Sequence, residues 1–403
     1  MKIYKKQNVL DTALERVRYL FDEFENVVVG FSGGKDSTAT LNIALQVADE
    51  KNRLPLKVIF IDQEAEWQGT IDYVEKVMND KRVEPMWFQM PMVITNNASS
   101  YERYSKCWDA NEKDNWIHPQ NEISIKKNKY GTERFHDLFE KIFKVEFGDK
   151  KSCYLAGVRT EEAPKRFVAL TNGITYKWIT WGKVLNKKLE HYTFYPLYDW
   201  SYTDVWKYIN DNKIEYNKVY NAMYQHGVNV NDMRISNLHH ETAIQVLLLV
   251  QEIEPNTWNK IAHRIDGASS IKHIQSNSFK CPKDLPYMFK DWEDYAYHLA
   301  NNIIQEDSNK ELLIKKINNL KDIYSGDNIK QTFWKVVINT ILSSDWDFTK
   351  LANYGMQPQN MNYRNYKKGK IAKDFLEHHQ QYLKVFTEQE INEIKNILNN
   401  EQI

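Results

Sequence analysis

The fold is decided by one short stretch of the chain, Asn26-Val-Val-Val-Gly-Phe-Ser-Gly-Gly-Lys-Asp-Ser37. Its first part is a β-branched run that ends at a glycine, which is typical of a buried strand. From Ser37 onward, apolar residues recur with a helical period. The pattern therefore predicts a strand, a tight glycine loop and then a helix.

The chemistry of this loop indicates a phosphate ligand. Glycines let the backbone approach an anion closely, the N-terminus of the next helix carries partial positive charge, and Lys35 adds a full charge. The loop is not a Walker A sequence, because Gly30 lies one residue too close to Gly34 and Asp36 follows the lysine. A GxGxxG dinucleotide fingerprint is also absent. A tight turn with an incidental lysine is the alternative interpretation.

Further along the chain, strand and helix patterns alternate. Strands are predicted at 57–61, near 85–90, near 152–156 and around 178–181. Alternation of this kind indicates an α/β fold, a parallel twisted sheet with helices on both faces. Strand signals fade after residue 212. We therefore predict a nucleotide-binding domain at 1–212, with an insertion or lid at about 96–131, and a mainly helical C-terminal domain at 213–403.

Composition excludes several classes of protein. The 403 residues carry 54 basic and 54 acidic side chains, so the net charge is +0 and a nucleic-acid coat protein is not indicated. The three cysteines, Cys107, Cys153 and Cys281, form no CxxC pair, which excludes a disulfide framework and a Cys-rich zinc site. No apolar stretch is long enough to span a bilayer. We expect a cytoplasmic protein without membrane contact.

Acidic residues follow the second predicted strand. Asp62, Glu64 and Glu66 would share a face if this segment is extended, at the carboxyl edge of the sheet where ligands bind in open α/β folds. Carboxylate oxygens suit Mg²⁺, so Asp62 and Glu64 are predicted metal ligands. The alternative is that these acids favour the N-terminus of the next helix.

A basic segment follows the strand near 152–156. Arg159 and Arg166 are two helical turns apart, and guanidinium groups suit bidentate contacts with phosphate or sulfate. Glu162 lies between them and would orient one of them; a solvated helix with a Glu162–Arg166 pair is the alternative. Asp199 and Asp204 are predicted to be structural, at a turn and at a helix start.

Three other clusters are weaker candidates. A metal cluster is conceivable at His239-His240-Glu241, although adjacent histidines point to different faces of a helix. Lysines of the insertion that would meet a phosphate are Lys126, Lys127 and Lys129, with a solvated loop as the alternative. One basic-aromatic stretch would touch nucleic acid directly, with a solvated helix end as the alternative: Tyr363, Arg364, Tyr366, Lys367, Lys368, Lys370 and Lys373.

Three blocks together resemble a known family. They are Ser32-Gly-Gly-Lys-Asp-Ser37, Gly157-Val-Arg-Thr-Glu-Glu-Ala-Pro-Lys-Arg166 and Tyr195-Pro-Leu-Tyr-Asp-Trp-Ser-Tyr-Thr-Asp-Val-Trp206. The chain is similar to phosphoadenosine phosphosulfate (PAPS) reductases of the adenine nucleotide alpha hydrolase superfamily, whose PP-loop members include ATP pyrophosphatases. The resemblance implies ATP or PAPS as the bound nucleotide, with Mg²⁺.

The resemblance and the residue chemistry together define a candidate site. The predicted catalytic residues are Lys35, Asp36 and Arg159. The predicted nucleotide-binding residues are Ser32, Gly33, Gly34, Lys35, Asp36, Ser37, Asp62, Arg159, Glu162 and Arg166.

Four shorter and less specific sequence blocks resemble an IbrA-like subfamily. They are Ile61-Asp-Gln-Glu-Ala-Glu66, Cys107-Trp-Asp, Lys113-Asp-Asn-Trp116 and Glu254-Pro-Asn-Thr-Trp258. This resemblance alone implies a ParB-like protein partner associated with DNA.

The cysteines decide between reaction types. Members of the family that reduce PAPS use a thiol in a C-terminal Glu-Cys-Gly motif, and no cysteine follows Cys281 here. We therefore predict nucleotide activation: ATP is cleaved at the α-phosphorus, an unknown acceptor is adenylated and pyrophosphate is released. The alternatives are a PAPS reductase with an atypical thiol, and a non-catalytic nucleotide-binding regulator.

Overall fold

The computed structural model divides the chain into two compact units, Met1–His273 and Ile274–Ile403. The structure describes residues 6–96, 99, 104–171, 173–230, 232–236, 238, 244–269, 280–304, 307–321, 327–343, 345, 348, 350–351 and 354. Each unit is considered by itself.

The first unit alternates strands and helices. In chain order its elements are α1 (Val9–Glu23), β1 (Asn26–Gly30), α2 (Lys35–Glu50), β2 (Leu56–Ile61), α3 (Gln68–Met78), β3 (Val83–Phe88), β4 (Met92–Thr95), β5 (Tyr104–Cys107), α4 (Phe135–Phe147), β6 (Ser152–Leu155), α5 (Pro164–Thr171), β7 (Gly182–Asn186), β8 (His191–Phe194), α6 (Tyr202–Asp211), α7 (Val219–Gln225), α8 (Ile244–Ile253) and α9 (Pro255–Arg264). Short 3₁₀ helices lie at Ala110–Asn115 and Thr160–Glu162.

Six strands form one sheet in the order β3-β2-β1-β6-β8-β7. All neighbouring pairs are parallel except β7 with β8. The predicted α/β fold class is confirmed. The strand predicted around 178–181 is wrong, because Tyr176 and Ile179 form only an isolated bridge and the paired strands come later. Ile179 and Trp181 are buried, so the apolar pattern there reflects packing rather than strand pairing.

The central strand is buried on both faces. Val27 and Val29 pack with residues of α1 and α2 in one core cluster. Val28 points to the opposite face and packs with Ile59 and with residues of α4 in a second cluster. Side chains alternate across a strand, so burial on both faces explains the uninterrupted β-branched run in the sequence.

The segment predicted as an insertion packs against the edge of the sheet in its described part. β4 and β5 form a two-stranded antiparallel ribbon. Ile125 then pairs with Phe88 of β3, donating its amide proton to the Trp87 carbonyl at 2.7 Å. This covers the outer edge of a strand that would otherwise expose unpaired backbone groups.

Residues beyond 212 also belong to the first unit, so the predicted domain boundary falls inside it. One direct link is the carboxylate of Glu254, which precedes α9. It accepts hydrogen bonds from the backbone amides of Gln68 at 2.7 Å and Gly69 at 3.0 Å. These amides begin α3, so Glu254 caps that helix from 185 residues away.

The second unit is helical where the structure describes it. It contains α10 (Trp292–Ile303), α11 (Asp307–Lys321) and α12 (Asp327–Leu342), which agrees with the predicted helical character of the C-terminal region. Phe333, Val337 and Leu313 lie in its apolar core. Of the helices in the described part of the chain, none combines the length and the apolar character needed to cross a membrane.

The helix cap supplied by Glu254 generates a stability prediction. Glu254→Ala removes the acceptor from two amides at the start of α3, so the first unit should lose about 1–2 kcal/mol of unfolding free energy. Urea unfolding gives the loss, and hydrogen exchange at Gln68 and Gly69 should accelerate. Glu252→Ala is the control, because Glu252 is exposed. Equal effects of the two variants would contradict the capping role.

Candidate functional site

The loop between β1 and α2 turns sharply at Gly33, which has a φ of 71°. A Cβ atom there would approach Thr70 Cγ2 to 2.9 Å. The left-handed backbone and this close neighbour both require glycine. Gly34 is extended and Lys35 is the first residue of α2. The chain therefore runs from strand to loop to helix N-terminus, as the sequence predicted.

Two serine hydroxyls hold this loop closed. Ser37 Oγ accepts a hydrogen bond from the Ser32 backbone amide at 3.2 Å and donates to the Gly34 carbonyl at 2.9 Å. The Ser32 and Ser37 hydroxyl oxygens also lie 3.2 Å apart. Both predicted binding serines thus lie at one turn of backbone at the helix start.

The segment after β6 comes very close to α2 at Gly157. A Cβ atom on Gly157 would lie 2.6 Å from the carbonyl carbon of Asp36. No side chain fits there, so glycine is required for this approach. Because β1 and β6 are neighbouring parallel strands, the loops that follow them meet at the same edge of the sheet.

The three predicted catalytic side chains form one charged cluster. Asp36 lies between two cations: its Oδ1 accepts from Arg159 Nε at 2.5 Å, and its Oδ2 lies 3.3 Å from Lys35 Nζ. The Lys35 and Arg159 side chains are 7% and 5% exposed, so solvent screens these contacts weakly. This arrangement explains how a carboxylate is tolerated in a phosphate-binding loop, since two positive charges balance it.

Arg159 and Arg166 each have a further acidic partner. Arg159 Nη1 lies 3.2 Å from Glu161 Oε2. Glu162 accepts from the Arg159 backbone amide at 3.0 Å through Oε1, and its Oε2 pairs with Arg166. Glu162 therefore links both predicted arginines, and the i,i+4 pair weighed as the alternative is also present.

A cavity of about 1300 Å³ opens at this edge of the sheet. The predicted residues on its wall are Ser32, Gly34, Lys35, Asp36, Ser37, Arg159, Glu162 and Arg166. Gly33 lies in the same loop but is not on the wall. A volume of this size accommodates a nucleotide.

The wall also contains residues that were not predicted, and four of them bear on phosphate binding: Lys183, Tyr220, Met233 and Arg234. Tyr220 Oη accepts a hydrogen bond from the Lys35 amide at 3.1 Å, and the Met233 carbonyl lies 3.5 Å from Lys35 Nζ. Lys183 and Arg234 also line the cavity, and neither forms an ion pair with a described residue. Three of the four follow the predicted domain boundary at 212. Nothing in their local spacing signals a phosphate site, because Lys183 arrives on β7 and the other three arrive on α7 and the chain after it.

Asp62 is fully buried at the end of β2 and does not line the cavity. Its Oδ2 accepts from Trp87 Nε1 at 3.1 Å and from Gln89 Nε2 at 2.9 Å. Its Oδ1 accepts from the Glu64 backbone amide at 2.9 Å. The carboxylate is therefore committed to three protein donors.

Glu64 is likewise directed to protein partners. Its Oε1 accepts from Arg264 Nε at 2.8 Å, and its Oε2 accepts from the Trp108 backbone amide at 2.7 Å. Among the described residues, no group of three or more His, Cys, Asp or Glu side chains is arranged to hold a metal ion. These contacts do not leave Asp62 and Glu64 free for Mg²⁺. A Mg²⁺ site at Asp62 and Glu64 stays a prediction.

Glu66 is the acid of this segment that reaches the cavity. It is only 4% exposed and lines the wall, and no described donor contacts its Oε2. Burial, together with the nearby Asp62 carboxylate, raises the pKa of Glu66 well above its ordinary value of 4.5. Glu66 is therefore a candidate hydrogen-bond donor in its neutral form.

Neither cysteine of the first unit, Cys107 or Cys153, is among the residues that line the cavity. Cys153 is buried in β6, and Cys107 Sγ lies 3.1 Å from the Gln63 carbonyl. Burial raises the pKa of both thiols, which disfavours the reactive thiolate. Cys281 belongs to the second unit.

Other candidates have structural roles or fall outside the described residues. Asp199 pairs with Arg16 at 2.6 Å. Asp204 and Ser201 form the capping box that starts α6, which confirms the predicted helix start. The histidine cluster at 239–241 and the basic-aromatic stretch at 363–373 lie outside the described residues.

Matches to known families define the class of protein. The model of the phosphoadenosine phosphosulfate reductase domain matches residues 26–226, and a domain of unknown function (DUF3440) matches 227–397. The first match spans β1 to α7 and contains the loop, Arg159 and most of the cavity wall. The chain belongs to the phosphoadenosine phosphosulfate reductase domain family.

Individual relatives extend this result. The uncharacterized protein YbdN of Escherichia coli is 30% identical over 320 residues, covering 75% of this chain and 78% of YbdN. Sulfate adenylyltransferase subunit 2 of Akkermansia muciniphila is 22% identical over 237 residues, covering 55% of this chain and 69% of that protein. The Candida auris PAPS reductase structure is 16% identical to this chain, with a match that covers 60% of this chain and 99% of that one, at a TM-score of 0.30.

The raised pKa of Glu66 generates a prediction about pH. Above pH 4.5 the unfolded chain releases the Glu66 proton while the folded chain retains it, so its contribution to stability falls as pH rises. Glu66→Gln carries no such proton. The Tm of this variant, relative to the parent protein, should rise between about pH 5 and about pH 8.

Thermal melts across that pH range measure the difference. Exposed Glu122 provides the control, because Glu122→Gln makes the same chemical change at the surface. A Tm difference for Glu66→Gln that stays constant with pH would show that Glu66 is ionised in the folded protein.

Proposed function

We propose that the chain binds ATP at the loop between β1 and α2 and cleaves it at the α-phosphorus, adenylating an acceptor and releasing pyrophosphate. The observation that supports this most is the position of Lys35. It begins α2, its side chain is buried, and it lines a cavity of about 1300 Å³. A helix N-terminus and a lysine ammonium both favour phosphate at that point.

The reaction requires charge stabilisation more than covalent participation by the protein. An ionised acceptor oxygen attacks the α-phosphorus. The bond from that phosphorus to the oxygen bridging to the β-phosphate breaks, and pyrophosphate leaves with the electron pair. Lys35 and the backbone of Gly34 are suited to stabilise the leaving pyrophosphate. The enzyme would otherwise act by holding acceptor and phosphorus in line.

Cations on the cavity wall supply further binding. Arg159 is held by Asp36 and Glu161, so it is preoriented before a phosphate arrives. Lys183 and Arg234 have no ion pair to a described residue and remain available to the nucleotide or to an anionic acceptor. Arg159 is the buried and fixed cation of this group, whereas Lys183 and Arg234 are exposed. Charge-assisted contacts from all three would bind phosphate.

The name of one relative describes adenylyl transfer, which supports the proposed reaction. Sulfate adenylyltransferase subunit 2 is 22% identical to this chain, and its name describes adenylation of sulfate. The acceptor of the present chain is left open in this proposal.

A PAPS reductase would need a thiol beside the nucleotide. The residues that line the cavity include no cysteine. Burial also raises the pKa of Cys107 and Cys153. These observations favour nucleotide activation over reduction. An IbrA-like role with a ParB-like partner stays a prediction that rests on sequence resemblance alone.

Pyrophosphate release tests the proposed reaction. The purified protein with ATP, Mg²⁺ and a panel of candidate acceptors should release pyrophosphate, and Lys35→Ala should reduce the rate about 100-fold. Lys207→Ala is the matched control, because Lys207 is exposed on α6 and pairs with Asp211. Binding of ATP without release by any acceptor would instead identify a regulator. Full activity of Lys35→Ala would contradict the role given to the loop.

A second assay separates activation from reduction. With PAPS and reduced thioredoxin, the protein should release no sulfite, and Cys281→Ser should leave pyrophosphate release from ATP unchanged. Cys281 is the one cysteine that is not fully buried, so its substitution disturbs the core least. Sulfite release by the parent protein that disappears in Cys281→Ser would establish the reductase in place of the present proposal.

A further inference from the structure

A second cavity, of about 440 Å³, lies between the 3₁₀ helix Ala110–Asn115, the chain that follows it, and α9. We propose that it is a second binding site of the first unit, specific for a nucleoside phosphate. No residue on its wall belongs to the wall of the cavity beside Lys35. Its volume falls within the range of small-molecule sites. The proposal is independent of the reaction assigned to the first cavity.

The charge of this cavity is the first observation. Its wall contains Lys113, Lys126 and Lys260, and no acidic residue is among the residues that line it. None of the three lysines forms an ion pair with a described residue. Lysines nearby are paired: Lys129 lies 2.9 Å from Glu146, and Lys106 lies 3.1 Å from Glu133. Three exposed like charges on one wall favour a multivalent anion as the ligand.

An aromatic ring beside the lysines indicates what accompanies the phosphate. Trp116 lines the cavity and is half-buried. Its Nε1 donates to the Asp109 carbonyl at 2.9 Å, and its ring packs edge to face with Trp108 at 5.3 Å between centroids. The indole is therefore fixed in place. A fixed aromatic surface next to cations suits a stacked base with its phosphates.

A buried histidine forms part of the same wall. His118 lines the cavity yet is only 3% exposed, and its Nε2 lies 3.4 Å from Asp62 Oδ1. Lys113, Lys126 and Lys260 are the exposed cations of this wall.

Calorimetric titration with ADP tests this site. In a Lys35→Ala background, which weakens phosphate binding at the first cavity, ADP should still bind saturably. Adding Lys126→Gln and Lys260→Gln should weaken binding about tenfold, the factor expected for the loss of two solvent-exposed charge contacts. Adding Lys127→Gln is the matched control, because Lys127 is exposed next to Lys126 but does not line the cavity.

Trp116→Ala tests the stacking part. It should weaken ADP binding while leaving inorganic pyrophosphate binding unchanged. Competition by a thymidine oligonucleotide of about ten residues would identify a nucleic-acid strand as the source of the nucleotide, and its failure to compete would identify a free nucleotide. The proposal is overturned if Lys35→Ala shows no saturable ADP binding. It is also overturned if Lys127→Gln weakens binding as much as the paired substitution, or if Trp116→Ala affects pyrophosphate and ADP alike.

Discussion

The contact between the Arg159 guanidinium and the Asp36 carboxylate joins the two segments on which the candidate site depends. The residues are 123 positions apart and meet at 2.5 Å. They meet because β1 and β6 are parallel neighbours, so the loops that follow them leave the sheet at the same edge. Gly157 permits the close approach, and the ion pair keeps an acidic residue within a phosphate-binding loop without repelling the ligand.

The two cavities of the first unit differ in how their cations are balanced. Beside the PP-loop, Lys35 and Arg159 share Asp36, so a phosphate bound as proposed would join an ordered network of charges. In the second cavity the lysines have no carboxylate partner on the wall. The segment after β2 contributes to both places, since Asp62 contacts His118 and Glu66 lines the first cavity. A substitution in that segment would therefore affect both cavities.

Much of the fold could be predicted because its signals are local. The buried run of β1, the glycine loop and the capping box at Ser201 are each encoded within a few residues. The β7–β8 hairpin could not be predicted from sequence, because the buried aromatic residues near Trp181 have the apolar pattern of a strand. The place of α7 to α9 in the first unit was also missed. It depends on contacts such as the Glu254 cap on α3, which are invisible to local periodicity.

In the candidate site, too, some features could be predicted from sequence and others depend on the tertiary structure. Amino-acid spacing was enough to identify the PP-loop, because strand, glycines and lysine must be adjacent in the chain to form it. Spacing also identified Asp62, Glu64 and Glu66 as acids of one segment. It did not predict that their carboxylates would have three different environments. One is hydrogen-bonded in the core, one pairs with Arg264 from 200 residues away, and one faces the cavity without a donor on Oε2. The behaviour of a carboxylate depends on the groups within a few ångströms of it, and in a folded chain those groups come from distant positions.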